Sequence, residues 1–160
     1  LGIAAGDEHM TYFESTKRLT NEGAKKMVAT ALEKAREAKI AISVAIVDAG
    51  GHLILLERMD GGRFHTLHSA TTKAACAASN RRATSPRGAQ GQELDVAHAL
   101  GLALAAGADR WTAMEGGAPV IVDGECIGGI GVSGGNFETD ERIAQAAVES
   151  IGASWRLGSK

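Results

Sequence analysis

Two histidines three residues apart, His65 and His68, lie between Arg63 and Lys73 in the segment RFHTLHSATTK, the densest group of chemically capable side chains in the sequence. Side chains three apart on a helix share a face over one turn. Either imidazole could give an axial nitrogen to haem iron, both could hold a divalent metal, or one could act as a general base near neutral pH. The competing reading is that both face solvent or cap the helix. Lys73 and Arg63 offer cations for a haem propionate or a substrate carboxylate, against the plainer reading of a solvated lysine and arginine. Glu115, at the turn Glu115-Gly116-Gly117 beside Trp111 and Met114, would supply the partner acid or base. Cys76 is eight residues beyond His68, about 12 Å along a helix axis, too far to share one metal with it through the helix alone.

These groups need elements to hold them. Residues 44–47 and 53–56 are short apolar runs rich in branched side chains, and Asp48-Ala49-Gly50-Gly51 between them supplies the positive φ positions of a tight reversal. A hairpin therefore runs through Asp60-Gly61-Gly62 into a helix expected over residues 66–80. Ahead of it, apolar side chains at Ala24, Met27, Val28, Ala31, Leu32 and Ala35 form one helical stripe, with Thr20 or Asn21 as cap. A second alanine-rich helix is expected over 92–106, ended by Gly107, and a short strand over 111–114. Residues 119–122 and 126–132, joined by Asp123-Gly124, predict a second hairpin. Its glycines at 128, 129 and 131 imply close approach of a helix backbone or a ligand. A last helix comes after Asn136, with Glu138, Asp140 and Glu141 in its first turn and Ile143, Ala146, Ala147 and Ile151 on its buried side. Helices packed on an antiparallel sheet make an α+β sandwich.

The 160 residues suit one domain, expected over 10–160. Residues 1–9 read as an expression remnant before an initiator Met10, and the residues after Met10 have neither the apolar core of a signal peptide nor a run long enough to span a membrane. A cytoplasmic location is the expectation. With 17 basic and 19 acidic residues the chain has no basic surplus to attract a polyanion, so nucleic acid is not an expected partner. Cys76 and Cys126 are read as separate buried thiols rather than a disulfide. The glycine-rich turn before the last helix is no P-loop, since it lacks a subsequent Gly-Lys-Ser/Thr and three acids would repel an anion.

Four separated motifs, LTNEGAKKM, VAIVDAGGHLILLERMDG, TTKAACA and EGGAPVIVDGECIGGIGVSGG with Asp140 beyond it, resemble the GlcG/HbpS family in order and over nearly the whole chain. That resemblance implies a profilin-like α-β-α sandwich around a roughly five-stranded antiparallel sheet, and assembly into homo-oligomers. It also implies an association with haem, as in HbpS-like members and the similar C-terminal domain of PduO-type adenosyltransferases. Lys73 matches a position usually lysine in the family, and Asp140 fits its pattern as a helix stabiliser or subunit contact. GlcG-like members accompany catabolic genes.

Three functions are consistent with these residues. The first is binding of haem or a small organic ligand, with His65 or His68 on iron and Arg63 or Lys73 on carboxylates, linked to a catabolic pathway. The second is a small isomerase, hydratase or lyase acting on an organic acid, with a histidine base, Glu115 as acid and an arginine on the carboxylate. The third is an oligomeric accessory protein in which these side chains build subunit contacts.

Overall fold

The computed structural model describes residues 11–158, so the expected remnant at 1–9 and Met10 lie outside the described residues. Helix α1 spans Asn21–Glu37, and the Thr20 hydroxyl caps it by accepting from the Gly23 amide at 3.0 Å. All six residues of its expected stripe are buried. Strands β1 (Ser43–Asp48) and β2 (Leu53–Arg58) form the first hairpin, α2 is His65–Asn80 and α3 is Val96–Ala106. Strands β3 (Gly117–Val122) and β4 (Glu125–Ser133) form the second hairpin, and α4 is Phe137–Ser150. Positive φ at both Asp123 (50°) and Gly124 (77°) gives this hairpin the turn whose twist suits antiparallel strands.

The strands pair antiparallel in the order β2-β1-β4-β3. Among the described residues the sheet thus has four strands where about five were expected. Residues 111–114 form no strand, and the outer edge of β3 is met instead by a single bridge at Ser154, which exchanges hydrogen bonds of 2.7 and 2.8 Å with Ile121. The second alanine-rich helix is also shorter than expected. It begins at Val96, where the Asp95 side chain accepts from the His98 amide at 2.7 Å.

Two unlike layers cover the sheet. On one face α1 and α4 bury an aliphatic core that includes Met27, Val28, Ile46, Ile130, Val132, Ile143 and Val148. On the other, α2 lies chiefly over β4 and β1, with Ala70, Ala74 and Ala78 against Ala45 and Val47. The glycines of β4 explain this closeness. A Cβ at Gly131 would collide with the Ala70 carbonyl oxygen, and one at Gly129 with that of Ala74, so helix backbone rests on strand backbone.

Candidate functional site

The start of α2 brings Arg63, Phe64, His65 and His68 to one exposed patch. No side chain caps this helix; its first turn closes by backbone bonds from Thr66 to Arg63 and Leu67 to Phe64, while the Thr66 hydroxyl donates to the Arg63 carbonyl at 2.6 Å. Thr66 also shares a buried 2.8 Å hydrogen bond with Ser43 of β1, which fixes the helix start against the sheet. Above that anchor the Phe64 ring is 75% exposed and meets both imidazoles edge-on, with centroids 6.1 Å from His65 and 6.3 Å from His68. Among the described residues neither imidazole hydrogen-bonds to another side chain or backbone group. Their nitrogens are open to a ligand.

The other two expected site residues lie elsewhere. Lys73 is neither an exposed lysine nor a free cation for a carboxylate ligand: its ammonium is buried, donating to the Val132 carbonyl at 2.8 Å and facing Asp140 Oδ2 at 3.4 Å. Burial pushes its pKa down against the attraction of Asp140 and Glu115, and burial pushes the Asp140 carboxyl up against the Gly135 amide and Lys73. Glu115 is half-buried on the Lys73 side of the fold, with no hydrogen bond to either histidine. Two histidines alone would give a divalent ion two protein ligands, and among the described residues no group of three or more His, Cys, Asp or Glu is placed to hold a metal.

A cleft of about 390 Å³ opens further along the same helix. Gly50, Gly51 and His52 of the first hairpin turn wall it on one side, Thr71, Ala75 and Ser79 of α2 form its floor, and Asp109, Arg110 and Trp111 close it after α3. Its volume is at the small end of ligand pockets. The hairpin wall is held by Asp48, whose Oδ1 accepts from the Gly50 and His52 amides at 2.9 and 3.0 Å and lies 3.1 Å from His52 Nδ1. Burial raises the Asp48 pKa, but these donors outweigh it and hold the carboxyl below its ordinary value. Cys76 also lines the cleft, bonded to the Thr112 carbonyl and to Asn80, and burial pushes its thiol up. Both cysteines are free, with Cys76 buried as expected and Cys126 only half-buried.

Helical periodicity joins patch and cleft. Phe64, His68, Thr71, Ala75 and Ser79 fall on one face of α2, so His68 stands one turn before the cleft floor, with His65 beside that line at its outer end. The sequence points to the histidines but not to the cleft, because its walls come from three separated segments. The small residues at 71, 75 and 79 on the His68 line were the available signal.

A model of the family described as haem degrading protein HbpS-like matches residues 19–149. Protein GlcG of Escherichia coli (strain K12) is 36% identical over 115 residues, which cover 72% of this chain and 81% of GlcG. The crystal structure of Klebsiella pneumoniae protein ORFY matches with a TM-score of 0.78 at 32% identity, covering 89% of this chain and 97% of ORFY. A crystal structure of a PduOC:haem complex matches with a TM-score of 0.75 at 28% identity, over 88% of this chain and 99% of that one.

Proposed function

Because the chain belongs to the HbpS-like family, we propose that it binds haem or a small organic ligand on the outer face of α2, with His68 as the residue that would hold the iron of a haem. The carrying observation is the exposed Phe64–His65–His68 group, in which both imidazoles lack protein partners among the described residues and His68 continues the floor of the cleft. The residues fit such a group: Phe64 gives an apolar ring surface, His68 a free imidazole, and Arg63 a cation for a carboxylate at the rim. Haem, when bound, would supply an iron centre for ligand-binding or redox chemistry, and His68 and Arg63 would be the residues that hold it. Lys73 has no part in this reading, since its donors face Val132 and Asp140. The PduOC:haem complex, on a matching fold, supports the cofactor class. A cytoplasmic setting, a catabolic link, a single domain over 10–160 and assembly into a homo-oligomer complete the proposal. Among the described residues no helix is long and apolar enough to cross a membrane.

Hemin titration tests this reading. Wild type should develop a sharp Soret band that His68→Ala abolishes and His65→Ala only weakens. A spectrum like that of free hemin for the wild type overturns haem binding, and an unchanged Soret band in His68→Ala overturns the assignment of the ligand. The alternative of a histidine base working with Glu115 draws no contact from the structure. Loss of turnover on an organic acid in both His68→Ala and Glu115→Gln would revive it.

A further inference from the structure

A second cavity lies where α2 ends, about 18 Å along the helix axis from His68, and the haem reading makes no use of it. It is a groove of about 490 Å³ whose lining includes Asn80, Arg81, Arg82, Trp155, Arg156 and Leu157. Backbone holds both walls. Arg81 takes the left-handed conformation at φ 56° with its amide on the Ala77 carbonyl at 2.9 Å, which ends α2 and turns the chain into Arg82. On the other wall, Ser154 is tied to Ile121 of β3 by two backbone hydrogen bonds of 2.7 and 2.8 Å. Trp155 follows it, half-buried, with Nε1 donating to Glu149 of α4 at 2.9 Å and the Arg156 guanidinium over its ring, 3.9 Å from the centroid.

Unpaired charge sets this groove apart. Lys17, Lys25, Lys34 and Arg87 each meet an acid at 3.3 to 3.9 Å, whereas neither Arg81 nor Arg82 has an ion pair or a side-chain hydrogen bond among the described residues. The plain alternative is that both arginines only complement the negative end of α2. Magnitudes weigh against it. A helix end carries about half a negative charge and Glu149 adds one, against three guanidinium groups, which leaves roughly one and a half positive charges at the groove. The whole chain is at −2, so the excess is local and suits a small anion rather than nucleic acid.

We propose that this groove binds a small phosphate monoester bearing a flat ring, with the phosphate on Arg81 and Arg82 and the ring against the Arg156–Trp155 stack. Guanidinium forks match phosphate oxygens in pairs. A phosphate monoester carries about −1.5 to −2 near pH 7, which balances the local excess, while a single carboxylate falls short of it. Volume decides that the ligand is more than the anion. The groove is within the range of small-molecule pockets and far larger than one tetrahedral ion fills, and the stacked planes of Trp155 and Arg156 are a surface that suits an aromatic ring.

Isothermal titration calorimetry with AMP, adenosine and inorganic phosphate tests the site. Wild type should bind AMP at least about tenfold more tightly than either of the others, because only AMP meets both halves of the groove. Arg81→Asn/Arg82→Gln should weaken AMP by at least about tenfold, with asparagine chosen because it accepts left-handed backbone. Trp155→Leu should weaken AMP and leave inorganic phosphate unchanged. No binding of AMP by the wild type, or undiminished binding by the double arginine variant, overturns the site. AMP held no more tightly than inorganic phosphate overturns the seat for the ring. The double arginine variant should keep the wild-type response to hemin, which shows that it is folded and separates this groove from the proposed function, so that either can fail while the other stands.

Discussion

Lys73 Nζ lies 3.4 Å from Asp140 Oδ2 and 2.8 Å from the Val132 carbonyl oxygen, so one buried ammonium fastens α2 to β4 and to the first turn of α4. Asp140 extends the link by accepting from the Gly135 amide at 2.8 Å. Both side chains are nearly inaccessible, and a Cβ on neighbouring Gly116, at φ 114°, would stand 3.0 Å from Nζ. Removing one partner of such a pair leaves the other charge buried without compensation. Lys73→Met should therefore lower unfolding stability by about 3 kcal/mol. Lys73→Met/Asp140→Asn should cost less than the sum of the single changes by more than about 0.5 kcal/mol, as read by urea denaturation of all four proteins.

Gly131→Ala should be far more damaging than its size suggests. The new methyl would meet the Ala70 carbonyl and the Ala74 amide, both helix backbone that cannot step aside. A loss of at least about 3 kcal/mol, or failure to fold, is expected on thermal unfolding. Gly101→Ala is the control: nothing lies within 4 Å of that Cβ, and alanine should firm α3 by about 1 kcal/mol in amide exchange.

Acid should expose the contribution of Asp48. Its folded pKa is held below the ordinary 3.8, so its stabilisation is present above that value and is lost as pH falls through the folded value. Wild type should exceed Asp48→Asn in urea midpoint near about pH 6, with the difference closing in stronger acid. The gap should stay below about 1 kcal/mol, because the carboxylate is partly exposed and solvent screens it.

Both thiols should be slow. Burial raises the pKa of Cys76 and of Cys126, so each carries less thiolate than a free cysteine at the same pH. Native protein at about pH 8 should react with a disulfide reagent at least about tenfold more slowly than urea-unfolded protein, where both sulfurs should be counted.

The sequence was most legible where a single local period decides the outcome. The stripe from Ala24 to Ala35 is buried as read, Asp123-Gly124 makes the turn its residue types require, and the glycines of β4 do mark an approaching helix backbone. It was least legible where distant segments meet. Lys73 looks like a surface lysine until Val132 and Asp140, 59 and 67 residues later, are seen to enclose it. Trp111 to Met114 has the composition of a strand but finds no neighbour to pair with among the described residues. The cleft has no local signature at all, since the hairpin turn, the second half of α2 and the segment after α3 each supply only a wall.

The contact between α2 and β4 has a mechanical meaning. Alanine and glycine have no side-chain rotamers to lose, so this layer orders at little side-chain entropy cost and holds almost no side-chain play once formed. With backbone resting on backbone at Gly129 and Gly131, α2 has little side-chain material against β4 that could repack. His68 stands near one end of that helix and Lys73, gripping Asp140, near its middle. Lys73 thus joins the helix layer on one face of the sheet to α4 on the other, so the two layers cannot slide past one another without parting that pair.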